Sequence, residues 1–181
     1  AKLNAQIKDQ SSPYAAQGTD AHELCAYLVE KTLGRDVKDP TENLDYYDEE
    51  MQMCAEGYAD FVMQEYEQAK QTCPDTEVLI EQKVDFSKWV EGGTGTADCI
   101  LLTDGMAEIY NIDTIRMAIY QPRRENVSIY EMSKDDLLKW ADEVLSPTAA
   151  IAMKGEGEFK AGDHCQFCKV KATCRKRAEF N

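Results

Sequence analysis

Two stretches decide the fold: Glu77-Val78-Leu79-Ile80-Glu81-Gln82-Lys83-Val84-Asp85 and Gly95-Thr96-Ala97-Asp98-Cys99-Ile100-Leu101-Leu102-Thr103. In the first, Val78, Ile80 and Val84 alternate with polar residues, the period-two pattern of a half-buried strand. Gly92-Gly93 breaks the run, and the second stretch resumes as a strand. Asp104-Gly105 is a two-residue hairpin signal, so a third strand is expected over 106–112. Pairing outward from that turn sets Asp98 opposite Asn111, with Asp113 its diagonal neighbour at about 7–8 Å between Cα atoms. Two carboxylates that close can share a hard divalent cation.

Helices flank this meander. Residues 1–18 are polar, and Ser11-Ser12-Pro13 and Gly18 read as irregular structure. A helix is expected from about Asp20 to Leu33, with Asp20 and Glu23 as a capping box and Gly34 as the stop. A longer one follows from about Leu44 to Thr72. Tyr47, Met51, Cys54, Tyr58, Phe61, Val62, Tyr66 and Ala69 recur on it at helical spacing. Beyond the meander, Ile115–Tyr120 and Val127–Glu131 are strand-like, separated by a loop with Pro122 and Arg123-Arg124. Ser133 with Asp136 starts a helix that should end near Leu145, before Pro147, and a short helix reaches Met153. The order predicts an α+β fold, helices packed on a mixed or antiparallel sheet.

The chain has 181 residues, enough for one domain with a real core. No apolar run approaches the roughly 20 residues of a membrane span, and no leader pattern stands at the start. A cytoplasmic protein without membrane contact is therefore expected. Net charge is −14, which disfavours unassisted binding to a polyanion. The charge is unevenly spread, however. Residues 36–91 carry 16 acidic and 4 basic side chains, whereas residues 160–181 carry 6 basic and 2 acidic. A basic tail can meet nucleic acid locally, and clustered carboxylates that hold a cation change their local sign. The plain alternative for the acidic run is a solvated helix face. For the tail it is solvation, or ion pairs to the acidic helix.

Seven cysteines cannot all pair internally, which suits a reducing compartment. Cys165, Cys168 and Cys174 fall within ten residues, with Cys-x2-Cys-x5-Cys spacing. Three thiolates so clustered point to a metal centre, either zinc or an iron–sulfur cluster, and each needs a fourth ligand. His164 is adjacent, but neighbouring residues rarely aim at one ion. Asp98 sits in an apolar strand just after Gly95-Thr96-Ala97, where a carboxylate is costly unless paired or metal-bound. A hydrogen-bonded aspartate at the strand end is the alternative. His22 lies beside an apolar helix face, a place where histidines commonly pack or cap, and Glu81 is weak evidence by itself.

Taken together, Gly18-Thr19-x-x-His22, Glu81, Gly95-Thr96-Ala97-Asp98 and the cysteine tail resemble the RecB-like branch of the PD-(D/E)XK nucleases, in particular the phage and prophage exonucleases of that branch. Gln121-Pro122-Arg123, Gly155-Glu156-Gly157-Glu158-Phe159 and Cys165-x2-Cys168-Lys169 are similar to that family too. The resemblance runs from about residue 11 to the end. It implies a restriction-endonuclease-like core over 1–160 and a metal- or iron–sulfur-binding element over 161–181. It also implies an Mg2+- or Mn2+-dependent enzyme that hydrolyses DNA phosphodiester bonds, with phage recombination or replication proteins as partners. The residues it points to are His22, Glu81 and Asp98 as metal ligands, with His22, Asp98 and Asp113 in catalysis. Cys165, Cys168 and Cys174 would hold a 4Fe-4S cluster, zinc being the alternative. Relatives among the CRISPR-adaptation exonucleases close such a cluster with an N-terminal cysteine, for which Cys25 is the nearest substitute here. DNA would meet Arg123, Arg124, Lys169, Lys171, Arg175, Lys176 and Arg177.

Two departures qualify the match: the fourth cluster cysteine, which the family places a short way upstream of Ala1 while Cys25 reads as helix core, and the active-site lysine. Thr114-Ile115-Arg116 follows Asp113, so Ile115 stands where the family has its active-site lysine, and Arg116 is one residue off, on the other face. The glycine-rich turn and the helix that follow this lysine in the family are also absent. Either the chain is a catalytically inactive, DNA- or partner-binding member, or a segment is omitted between about Ile109 and Thr114. Omission is the expectation, since active-site loops vary most. An unrelated acidic interaction domain with a zinc knuckle is the remaining alternative.

Overall fold

The computed structural model describes residues 12–103 and 113–180. The fold is α+β, as expected. Helices α1 (Pro13–Thr32) and α2 (Glu49–Thr72) precede a hairpin of β1 (Glu77–Asp85) and β2 (Thr94–Leu102). A second hairpin joins β3 (Thr114–Gln121) to β4 (Asn126–Ser133). Helix α3 (Lys134–Trp140), a π turn (Ala141–Leu145), helix α4 (Ser146–Lys154) and helix α5 (Arg175–Phe180) complete the chain. Among the described residues each hairpin is its own two-stranded antiparallel sheet, in place of the single expected meander. The expected turn at Asp104-Gly105, the strand over 106–112 and the pairing with Asn111 lie outside the described residues.

Helix α1 begins earlier than its sequence suggested. Ser12 is the N-cap, its hydroxyl accepting the Ala15 N–H at 3.2 Å, and Pro13 fills the first turn, where no N–H is needed. Ser-Pro, read as irregular, is therefore a start signal. Asp20 caps nothing: it lies mid-helix, and its carboxylate accepts the Tyr46 N–H at 2.8 Å, pinning the α1–α2 connection. Gly34, at φ +75°, follows the helix in the left-handed region, as its position predicted. Helix α2 starts at Glu49, with the Asp48 carboxylate accepting the Met51 N–H at 2.7 Å. Leu44, expected within that helix, is instead buried in the connection before it.

The core is small and lies between the two helices. Leu24 packs with Leu44, Met51 and Ala55, and Val29 with Ala59 and Val62. Ile80 and Cys99 of the first hairpin pack against the second of these groups. Arg35 fastens the end of α1 to β1 through the Val78 carbonyl at 2.7 Å. The second hairpin sits on another part of α2. Tyr120 stacks on Phe61 at 5.3 Å between ring centres, and Arg116 is ion-paired to Glu65. A side chain at Gly57 would meet the Tyr120 hydroxyl at 2.6 Å, so glycine leaves room for the tip of that ring on α2.

The C-terminal helices correct a further expectation. Ser133 caps α3 as predicted, accepting the Asp136 N–H at 3.0 Å. The chain does not leave the helix before Pro147, however. It widens into the π turn, where the Ser146 N–H reaches the Ala141 carbonyl five residues back. Proline cannot donate, and its ring crowds the carbonyl four residues earlier, so one extra residue in the turn absorbs the misfit. Trp89, from the loop between β1 and β2, donates its indole N–H to Asp142 in this turn at 2.8 Å. Among the described residues no helix is long and apolar enough to cross a membrane.

Candidate metal centre

Three elements converge on one group of side chains. The β1–β2 ladder pairs Ile80 with Cys99 and Gln82 with Ala97, which leaves Glu81 across from Asp98 at the single level where the ladder is interrupted. There Glu81 has φ +49°, a left-handed conformation that a residue with a side chain seldom adopts. Ile80 and Cys99 face the helices, and in an unbroken strand their neighbours would face away. The interruption turns both carboxylates back toward α1, where His22 stands in mid-helix. One ligand atom from each of His22, Glu81 and Asp98 lies within 4.8 Å of the others. His22 Nδ1 is 3.1 Å from Asp98 Oδ1, and the two side chains are 59% and 53% exposed. The three side chains are thus open to solvent.

Two carboxylates directly opposite one another repel, and a single imidazole cannot neutralise both. A divalent cation would. An imidazole nitrogen with two carboxylate oxygens is a donor set that suits Mg2+ or Mn2+ with open positions for water. Behind the site lie groups held in their neutral forms. Burial pushes the Cys25 thiol up to about 12, and the charges of Asp98, Cys54 and Glu81 add to it. Burial also raises the Cys99 thiol, to about 11, against the opposing pull of Arg35 and with a further push from Asp98. The Tyr58 phenol is raised by burial first, then by Cys99, Asp98, Cys25 and Glu81. No sequence signal separated Cys25 and Tyr58 from the ordinary apolar stripes of their helices.

Asp113 is not brought into this group: it heads β3, and its carbonyl accepts the Lys134 N–H at 2.9 Å. Ile115 pairs with Met132. Arg116, besides Glu65, lies 3.3 Å from its cross-strand partner Glu131, so it serves sheet packing. The three C-terminal cysteines sit on successive turns. The Gly162 N–H approaches Cys165 Sγ at 3.5 Å, the Cys168 N–H bonds the Cys165 carbonyl at 3.2 Å, and Cys174 precedes α5. Their sulfurs do not form a group within 4.8 Å, and His164 Nε2 is instead 3.2 Å from the Lys160 carbonyl. Cys25, the substitute for a fourth cluster ligand, packs in the α1–α2 core.

The basic residues are mostly engaged. Arg123 bonds Glu50 on the acidic helix at 2.8 Å, beside Arg124 in the same short turn. Arg175 and Lys176 both pair with Glu179, at 3.0 and 3.1 Å. Lys171 Nζ donates to the Gln166 carbonyl at 2.9 Å, and Arg177 reaches the Lys171 carbonyl at 3.4 Å. Lys169 follows Cys168 in the tail. Exposed pairs of this kind are worth about 0–1 kcal/mol, so they can exchange for a phosphate.

A family model described as a protein of unknown function (DUF2800) matches residues 1–110 and 105–181. No solved structure matches.

Proposed function

The chain belongs to the DUF2800 family, and we propose that it is a divalent-metal-dependent DNA nuclease of the RecB-like type, acting as an exonuclease. One observation carries this reading: His22, Glu81 and Asp98, distant in sequence, come together within 4.8 Å. Those are the residues that the nuclease resemblance singles out as metal ligands. When bound, Mg2+ or Mn2+ activates water and offsets charge on the phosphate that is attacked. The chain's own part is to present two carboxylates and an imidazole on rigid elements, with one side left open for the DNA strand. Asp98, Glu81 and His22 would hold the ion.

A second reading has its own support. Ile115 stands at the lysine position, and Arg116 is tied to Glu65 and Glu131, which favours a catalytically inactive nuclease fold that binds DNA or a protein partner. The two matched stretches of the family overlap only at 105–110, beside the segment where the resemblance loses its lysine, which favours an omitted segment instead. The cysteine tail we assign to a 4Fe-4S cluster, with zinc as the alternative, in a cytoplasmic protein that works with phage-type recombination or replication proteins.

Digestion of linear DNA by the purified chain, with Mg2+ or Mn2+ and with chelator, tests the reading. Hydrolysis that needs the metal and is abolished in Asp98→Asn is expected. Metal-independent hydrolysis, or an Asp98→Asn variant as fast as wild type, would overturn it. Metal binding without hydrolysis would decide for the inactive fold.

A further inference from the structure

Helix α1 carries a glycine in its interior that the fold does not explain. A mid-helix glycine is destabilising relative to alanine, and where one occurs it commonly has a packing or functional reason. Gly57 of α2 has a packing reason, the tip of the Tyr120 ring. Gly18 has none: it lies inside Pro13–Thr32, and a Cβ built on it meets nothing within 4 Å. Its missing side chain leaves an open notch in the helix surface.

The neighbours of that notch give it a chemistry. Side chains four residues apart form a ridge along a helix, about 5–6 Å from one to the next. Tyr14, Gly18 and His22 are three successive positions of one such ridge. The ridge therefore reads as an aromatic ring, a notch and a candidate metal ligand, in that order. Tyr14 is 84% exposed, more than any other exposed large hydrophobic residue among the described residues. His22 is exposed as well. A bare ring one step from an open notch, and two steps from a metal ligand, is a platform for a planar group joined to whatever the metal holds. On a phosphodiester strand that planar group is a base. Stacking on an aromatic side chain needs a base face that is free, so the platform takes an unpaired base of any identity.

We propose that Tyr14 and Gly18 form a base-binding notch beside the metal centre. With the attacked phosphate at His22, Glu81 and Asp98, a neighbouring base of a single DNA strand enters at Gly18 and stacks on the Tyr14 ring. The notch rests on the metal-centre reading above and adds to it the path by which the strand leaves the ion. A duplex cannot use it without opening, because each of its base faces is already covered.

Binding of a single-stranded oligothymidylate with phosphorothioate linkages, which resist hydrolysis, tests the notch in the presence of Mn2+. Wild type, Tyr14→Ala, Tyr14→Phe, Gly18→Leu and Asp98→Asn are compared, each also with an abasic strand of the same backbone and with Mn2+ alone. One base stacked on an aromatic side chain corresponds to about 5- to 150-fold in affinity. Tyr14→Ala should bind the oligothymidylate that much more weakly and the abasic strand as wild type does, and Tyr14→Phe should match wild type on both. Gly18→Leu fills the notch and should weaken oligothymidylate binding too, with a thermal midpoint no lower than that of wild type, since leucine is the better helix former and meets nothing there. All three should bind Mn2+ alone as wild type does. A Tyr14→Ala variant with wild-type affinity, or with the same loss on the abasic strand or on blunt duplex, overturns the notch and leaves the metal centre standing. So does a Gly18→Leu variant with wild-type affinity. Strand affinity that Mn2+ does not raise and Asp98→Asn does not lower overturns the metal centre and the notch with it.

Discussion

Glu81 stands across from Asp98 at the one level of the β1–β2 ladder where the strands do not pair, and its backbone is left-handed there. A left-handed residue with a Cβ is strained by about 1–2 kcal/mol, and strain of this kind collects at functional sites. Glu81→Gly and Glu81→Ala both remove the carboxylate, but only glycine also relieves the backbone. The glycine variant should exceed the alanine variant by about 1 kcal/mol in metal-free stability, read from urea unfolding midpoints. Both should lose Mn2+ affinity. An alanine variant as stable as the glycine variant would mean that position 81 is unstrained.

A cation that binds only the folded chain must stabilise it. At a free Mn2+ concentration 100 times its dissociation constant the gain is about 2.7 kcal/mol. The ion should therefore raise the thermal midpoint of wild type and leave Asp98→Asn unmoved. His22→Ala should keep part of the effect, because two carboxylates remain. If all three proteins shift alike, the ion is binding elsewhere, for example along the acidic face of α2.

Much of this was legible in the sequence, and the remainder was hidden for physical reasons. Period-two alternation placed the start of β1 at Glu77, β2 was placed within a residue at each end, and Gly34 marked the end of α1. The three residues of the candidate metal centre came from order along the chain, because composition cannot bring His22 to a strand 76 positions away. The left-handed Glu81 left no trace, since glycine or asparagine is the residue that signals such a backbone. Pro147 misled for the opposite reason: it is a valid breaker, and only the π turn accommodates it. The division into two sheets depends on tertiary packing along α2, through Phe61, Glu65 and Gly57, which a helical stripe does not specify.

Cys25 gives a pH dependence of definite sign. Its thiol ordinarily ionises near 9.0, and burial with nearby negative charge pushes it up to about 12. The thiolate is the nucleophile, so alkylation of the metal-free protein should rise about tenfold per pH unit from pH 8 to 11, without a plateau near 9. The linkage follows. The unfolded chain releases this proton near 9.0 and the folded chain keeps it until about 12. Stability from this group is therefore whole below pH 9 and is lost as pH climbs toward 12. Mass-spectrometric alkylation rates for Cys25 that level off near pH 9 would contradict the shielding.

The tail cysteines predict a metal that ordinary handling removes. Cysteines on successive tight turns that are only half-buried leave a cluster open to oxygen, so a 4Fe-4S cluster there should survive only anaerobic purification. Iron and sulfide near four each per chain are the expected analysis. Replacing Cys165, Cys168 and Cys174 together by serine should abolish both. Stoichiometric zinc in colourless protein would assign a knuckle, and unchanged metal in the triple variant would remove these residues from any site.

The salt dependence of DNA affinity distinguishes the two basic regions. Arg123 is held by Glu50 on the acidic helix, whereas Arg175 and Lys176 share one carboxylate, Glu179, and Arg177 reaches only the Lys171 carbonyl. With a body of net charge −14, phosphate contact should be confined to the second group and to whatever cation the centre holds. Each phosphate neutralised adds about 0.9 to the slope of log affinity against log salt on duplex DNA. Reversing Arg175, Lys176 and Arg177 to Glu should weaken binding and flatten that slope by up to about three units. Arg123→Glu should change it by less than one, because its loss also frees Glu50. Glu179→Gln should act oppositely to the triple reversal, strengthening binding at low salt by releasing both of its partners. If the triple reversal leaves affinity and slope unchanged, the tail does not touch DNA and its charges serve the terminal helix alone.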